Sequence, residues 1–443
     1  MLSQIDFVSG ETRKSLMKLF IPLMAAMSLT MAYSMVDSLW VGNLLGQEGM
    51  SALTASTAIV LVLNSISMGA GNGVTVMIAG MVGAGDRKKI RGAAATILTV
   101  SLVFALAVCV IGQLTARPLL MLMDTPASVL ADAVSYLQLY LIGNIALFLY
   151  MQFTSIFRAF GDSVFQMKGM LMTVIVNAAL DPLLIHFLGF DGVAIATVIS
   201  EIMCLIYALF YYKGRRFFVF NFHAMTLLDA KTMCRLCIPT TVQAVMPAIS
   251  SAIMIALVNP YGVVALAGYG VVRNLELIMF MPTTAMTMTV TTIIGYCRGA
   301  QRLDRATDYL KESLLVGGIL IAGLSAAVIA ECGFLSTCFG QNEEVTAITT
   351  SFMHIVGIGY LLYMITSCIQ GYFTGMGRPG LAMLLLIFYY LITRISAAIL
   401  LEMHFGLDGI WLGLLTSHIL ACAAAVIGYR ISVRCKKVMI APD

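Results

Sequence analysis

Long apolar runs, separated by short polar segments, recur from one end of the chain to the other. A helix needs roughly 20 such residues to cross the hydrocarbon core of a bilayer, and about a dozen runs are long enough. They predict spans at 14–44, 50–81, 92–115, 130–158, 163–188, 191–212, 230–260, 262–297, 305–331, 346–375, 380–404 and 408–429. Several exceed what a bilayer requires, which implies tilt or protrusion into the cytoplasm. The short alternating segments of a transmembrane barrel are absent.

Composition agrees with this pattern. Of 443 residues, 60% are hydrophobic and 11% charged, with a mean hydropathy of +0.95. A soluble domain carries about 25% charged residues. The expected class is therefore an all-α polytopic membrane protein with 12 transmembrane helices. Residues 1–14 are polar and mixed in charge, so the first apolar segment is expected to remain as a span rather than to be cleaved as a signal. The 10 cysteines lie mostly singly inside apolar runs and read as small buried hydrophobes. Cys234 and Cys237 form a lone C-x-x-C with no second pair. A bridge between Cys332 and Cys338 is left open.

Charge sets an orientation. Arg13, Lys14, Lys18, then Arg87, Lys88, Lys89 and Arg91, then Lys213, Arg215, Arg216, Lys231 and Arg235 fall on one side of the predicted spans, with Arg298, Arg302, Arg305, Lys311 and the tail residues Arg430, Arg434, Lys436 and Lys437. The opposite loops hold Arg117 and otherwise Glu48, Asp124, Glu331, Glu343, Glu344 and Asp408. The positive-inside rule then places both termini in the cytoplasm of a multi-pass protein of the cell membrane.

The chain repeats itself. GFDGVAIATVIS (189–200) matches GLDGIWLGLLTS (406–417), Ile21-Pro22 matches Ile238-Pro239, and IAGMVGAGDRKKIRGA (78–93) resembles IIGYCRGAQRLDRATD (293–308). This predicts two six-span lobes, 1–212 and 230–443, in one orientation and joined by a cytoplasmic linker, 213–229. Transporters use such repeats, with the site at the interface between them.

The chemistry is concentrated in VIVNAALDPLLI, 174–185. Asn177 and Asp181, four residues apart, share one helical face. An acid inside a span is expensive and is a functional hypothesis by default. Pro182 removes a backbone donor beside it. In the first half only Asp37 reads as comparably deep. Two buried carboxyls can hold a proton near neutral pH, or, with the Asn177 amide oxygen, ligate Na⁺. The alternative is a pair of solvated acids at span ends. Tyr136 and Thr197 are candidate hydrogen-bonding partners, and Pro22 permits a kink in the first helix. In the second half, Ala397 matches Asp181, Thr393 matches Asn177 and Met254 stands near the place of Asp37. Arg273 and Glu276 are expected to neutralise one another, and Arg394 to find a carbonyl, a carboxylate or the cavity. Met24, Met27, Met31 and Met35 share a face suited to varied apolar ligands, or to packing. Met279, Met281, Met286 and Met288 form a second group in span eight. Nucleotide-binding and zinc-protease motifs are absent, so an enzyme is not expected.

In their order, MVDSLWVGNLLG, GAGDRKKIRGA, RAFGDS and NAALDPLLI followed by GFDGVAIAT resemble the multidrug and toxic compound extrusion (MATE) family over nearly the whole chain. The resemblance implies a V-shaped pair of six-helix bundles that exports amphipathic, often cationic compounds against entering H⁺ or Na⁺. It implies an ion site at Asp37, Asn177 and Asp181 with Tyr136 and Thr197 nearby, and a bending first helix marked by Pro22. The coupling ion is the only cofactor expected. The partners are small molecules and the bilayer, with no nucleic acid, and a monomer suffices. Some relatives carry a span-seven glutamate; here that region offers Gln243 and no acid. Met27, Met31, Gln243, Arg273, Glu276 and Arg394 are the candidate cavity residues. A flippase for a lipid-linked saccharide is the alternative, and would need a basic cleft, for which only Arg273 and Arg394 qualify.

Overall fold

The computed structural model describes residues 5–215, 225–338 and 343–440, and only the backbone at 214, 215, 338 and 435–440. The linker stretch 216–224 with Arg216 and the side chains of Arg215, Cys338, Lys436 and Lys437 therefore lie outside the described residues, while Cys332, the described half of the bridge left open, is a free thiol. Everything described is helix or short connection.

Helix α1, Thr12–Gly83, is two spans in sequence, because its one non-helical residue is Gly46, at φ 65° and ψ −151°. A left-handed break of this kind suits glycine, which has no Cβ to clash. The helix runs unbroken through Pro22. α2 (Arg87–Leu122), α3 (Leu130–Ala159), α4 (Val164–Leu188) and α5 (Phe190–Arg215) complete the first lobe. The second begins with α6 (Leu227–Val258), a 3₁₀ turn at Asn259–Tyr261, then α7 (Gly262–Gly299) and α8 (Leu303–Cys338). α9 (Glu343–Val356) and α10 (Gly359–Gly375) are one span bent by 54°. α11 (Pro379–Ile387) and α12 (Arg394–Phe405) are joined by a π-helical segment, Phe388–Thr393, and α13 (Leu407–Ile440) closes the lobe. With α1 divided at Gly46 and each of these joined pairs counted once, the described residues make twelve spans.

The two lobes are built alike. Left-handed residues recur at Gly46 and Gly262, Gly85 and Gln301, Gly161 and Gly377, and Gly189 and Gly406. Side-chain contacts recur too. Ser135 donates to Asp191 at 2.6 Å, as Ser351 does to Asp408 at 2.8 Å. Thr75 donates to the Ser155 carbonyl at 3.3 Å, as Thr291 does to the Gly371 carbonyl at 3.4 Å. The first three left-handed pairs are 216 residues apart and the last 217. Between them lies the π segment, whose wider turn takes up an additional residue. This shifts the expected correspondence by one. The counterpart of Asn177 is Arg394 rather than Thr393, and that of Asp181 is Ala398 rather than Ala397.

The lobes meet tightly at the end that carries the basic turns. From Gly69 to Ala79 α1 is almost wholly buried, whereas most positions between 51 and 66 are partly or fully exposed. At Gly73 a Cβ would lie 2.7 Å from the Cys237 Cα, and at Gly83 it would lie 3.0 Å from the Ala300 backbone nitrogen. Backbones this close exclude larger side chains, as small residues do at membrane-helix interfaces. The start of α1 is tied to α8 at the same end. Arg305 donates to Thr12 at 2.9 Å, and Arg13 pairs with Glu312 at 3.4 Å. Leu16, Leu19, Phe20 and Leu23 enter the core of the second lobe, with Met24 and Met27 packed at its edge. Met279, Met286 and Met288 are buried in that same core, so packing accounts for them.

Candidate cation site in the first lobe

Two helices bring the acids together. Asp37 comes from the first arm of α1, and Asn177 and Asp181 from successive turns of α4. α4 continues through Pro182, which leaves the turn around Asp181 one backbone donor short. Asp181 is 0% exposed and Asp37 8%, so neither is a solvated acid at a span end. The Asn177 side-chain amide donates to Asp181 Oδ1 at 3.0 Å. The carboxyl groups of Asp37 and Asp181 lie within hydrogen-bonding reach of each other. Asp37 Oδ1, Asp181 Oδ2 and Asn177 Oδ1 are buried without a partner. Two carboxylates cannot hydrogen-bond to each other, because each is an acceptor only. A proton on one of them satisfies the pair, and so does a cation shared among the three open oxygens.

The remaining expected residues are close by, in different roles. Tyr136 is buried on α3, stacks on Tyr140 at 6.3 Å and lies tilted against Phe190 at 5.5 Å. It lies within electrostatic reach of Asp37 and Asp181. Thr197, on α5, hydrogen-bonds the hydroxyl of Tyr33 at 3.0 Å rather than an acid. Tyr33 sits one turn before Asp37 on α1, and that i, i+4 spacing was the available signal for it. Glu201 corrects the expectation that Asp37 and Asp181 are the only deep acids of this half. It is 6% exposed on α5, one turn after Thr197.

A sequence model of one family, MatE, matches residues 22–183 and again 239–400. The chain belongs to the MATE family. The two matched stretches begin 217 residues apart, the offset of Pro22 and Pro239. The probable multidrug resistance protein YpnP of Bacillus subtilis (strain 168) is 25% identical over 428 residues, 96% of each chain. The multidrug export protein MepA of Staphylococcus haemolyticus (strain JCSC1435) is 23% identical over 436 residues, 96% of this chain and 94% of its own. Among solved structures, an outward-facing multidrug resistance MATE family transporter of the MOP superfamily superposes with a TM-score of 0.92. It is 19% identical and covers 97% of this chain and 98% of its own. A MATE in the bent conformation gives 0.91 at 19% identity, with 97% of both chains covered. At such identities the structural likeness speaks for the fold.

In the second lobe of this MATE protein the candidate residues separate. Arg273 is exposed and Glu276 buried. The expected ion pair between them is not among those of the described residues. Glu276 instead accepts from the Tyr360 hydroxyl at 3.1 Å. Arg394 is 6% exposed, and its guanidinium lies over the rings of Tyr389 at 4.7 Å and Tyr390 at 4.8 Å. It also donates to the Tyr389 hydroxyl at 2.5 Å and to Ser417 at 3.5 Å. Its direct contacts are aromatic faces, which attract a desolvated cation, and the carboxylate expected for it is the buried Glu276, within electrostatic reach. Both ends of the Gln243 amide are engaged. Its nitrogen donates to the Pro379 carbonyl at 2.8 Å, and its oxygen accepts from Gln370 at 3.1 Å and Thr374 at 3.4 Å. It braces α6 against α10 and α11. Met27 and Met31 are half-buried on α1. Arg273 is exposed and Arg394 is covered by tyrosines, and both lie within electrostatic reach of Glu276 and Tyr269.

Proposed function

We propose that this protein is a cation-coupled antiporter that exports amphipathic, often cationic compounds from the cell by alternating access, driven by H⁺ or Na⁺. The observation that carries the reading is the buried Asp37–Asp181 pair with three partnerless oxygens around it. Such a pair is stable only with a proton or cation between its members, because two uncompensated buried charges are prohibitive. Release of that ion leaves a charged site that favours a different arrangement of α1 against α4. Helix α1 suits that task, since it carries Asp37, packs its start into the second lobe and packs its end between the lobes. The multidrug export named for YpnP and MepA supports the substrate class.

The basic turns are taken as cytoplasmic, with both termini, following the positive-inside rule. The end where the lobes meet is then closed to the cytoplasm, and the state is outward-facing. The functional unit is a monomer of two lobes, 1–212 and 230–443, linked through 213–229. Met27 and Met31 on α1 face the substrate path.

The test is ethidium efflux from right-side-out vesicles carrying the full chain, driven first by a pH gradient alone and then by a Na⁺ gradient alone. Efflux under one gradient, lost in Asp37→Asn and Asp181→Asn with folding intact, supports the reading and names the ion. Wild-type transport in both variants would sink it.

A further inference from the structure

Among the described residues, Glu201 is the buried acid inside a first-lobe span that the Asp37–Asp181 site does not use; the buried Asp162 lies in the turn between α3 and α4, where Tyr211 donates to it. It lies mid-span on α5, whose other faces meet α3 and α4. Its Oε2 is buried without a hydrogen-bond partner. It is packed so closely on α3 that a Cβ at Gly143 would lie 2.6 Å from that oxygen. No Lys, Arg or His pairs with it among the described residues. The titratable groups that interact with it are Tyr33 on α1, Tyr136 and Tyr140 on α3, and Cys204 on its own helix. None of these is a cation. From α4 the nearby acid is Asp181, which acts on Tyr136 as Glu201 does. A buried carboxylate with no counter-charge does not persist in a membrane span.

We propose that Glu201 is a second proton-carrying site of the first lobe, loaded separately from Asp37 and Asp181. A proton is the ligand, because it satisfies one carboxyl without further oxygens, whereas a hard metal ion needs about six. Among the described residues no group of three His, Cys, Asp or Glu gathers to hold a metal. Tyr33 and Tyr136 lie within electrostatic reach of both Asp37 and Glu201. The Glu201 proton is bound while α3 and α5 are packed as here. It is released when the cavity opens to the less acidic side, so each cycle moves one proton more than the aspartate pair alone would carry.

The proposal rests on the antiporter reading, and its test separates the two. Purified full-length protein is reconstituted in liposomes with the membrane potential clamped, and steady-state ethidium accumulation is measured against imposed pH gradients. Each coupled proton multiplies the attainable gradient about tenfold per pH unit, the ratio that corresponds to 1.4 kcal/mol. Glu201→Gln is expected to transport with about tenfold less accumulation per pH unit than wild type; an unchanged slope overturns the proposal. A second measurement needs no transport. Infrared difference spectra between acid and alkaline pH are recorded on the Asp37→Asn/Asp181→Asn protein. A protonated-carboxyl band is expected to remain, and to vanish when Glu201→Gln is added. No band in the double variant, or a band removed by Na⁺ at constant pH, overturns it. A wild type that moves no ethidium under any gradient would defeat the antiporter reading, and the infrared result would then decide Glu201 alone.

Discussion

The two lobes share a backbone and differ in where their positive charge comes from. In the first, Asn177 and Asp181 on α4 face Asp37, and three oxygens have no partner. In the second, the π turn puts Arg394 at the place of Asn177 and Ala398 at that of Asp181, while Met254 stands near the place of Asp37. One lobe needs a mobile cation to be neutral there. The other has a permanent one, held over two tyrosine rings. The repeat therefore conserves helix packing and hinge geometry, and the chemistry is free to diverge within it. In the antiporter reading proposed above, charge that must come and go is the coupling device, and charge built into a side chain is scaffolding.

That contrast breaks most visibly at the aspartates. Asp181→Asn and Asp37→Asn should each reduce gradient-driven ethidium efflux to background, a loss of at least about tenfold, with the detergent-purified protein still monodisperse. Efflux near wild type in either variant would make the first lobe scaffolding as well. Arg394→Met should act on the opposite quantity. Removal of a buried cation from two aromatic faces should lower stability by about 2–4 kcal/mol. The shape of the pH–efflux curve should stay the same in whatever protein folds, and thermal unfolding beside that curve checks both parts. A changed curve would mean that the second lobe titrates too.

Smaller effects sharpen the comparison. Tyr33→Phe and Thr197→Val each remove the same hydroxyl–hydroxyl bond beside the aspartates. Each should cost about 1 kcal/mol, read as a severalfold fall in efflux, and the double variant should be no worse than either single one. Additive losses would show the two hydroxyls acting apart. Least of all, Asp86 caps α2 at the basic end. The Lys89 backbone N–H holds its carboxyl below the usual aspartate range. A depressed carboxyl stabilises above its unfolded value, about 3.9, and that contribution is lost as pH falls through the lower folded value. Asp86→Ala should remove this small acid-side slope in melting temperature and leave efflux at neutral pH unchanged. A slope that survives the substitution would show that other acids produce it.

Much of this was legible before any coordinates. Apolar runs of span length mark the helices because a bilayer leaves the backbone no other partner for its hydrogen bonds. Asp37 and Asp181 stand out because acids are rare in such runs, and Asn177 because it shares a helical face with Asp181. Glu201 stands in the middle of the span expected at 191–212 and is as rare, but only its burial against Gly143 on α3 sets it beside the other deep acids. Tyr33 was one tyrosine among 17, and only its hydroxyl contact with Thr197 singles it out. Arg273 and Glu276 have the spacing of an ion pair, but the helix turns one outward and the other inward.

The sequence by itself determined the class, the helix lengths, the repeat and the acids of the first lobe, because each follows from local composition or periodicity along the chain. Only the tertiary structure decided that Asp37 meets Asp181, that the lobes close at the basic end, that Arg394 takes the place of Asn177 and that Glu201 has no counter-charge. These depend on which faces of separate helices meet, and on one residue absorbed by a π turn. Neither leaves a trace in the hydropathy of a single helix.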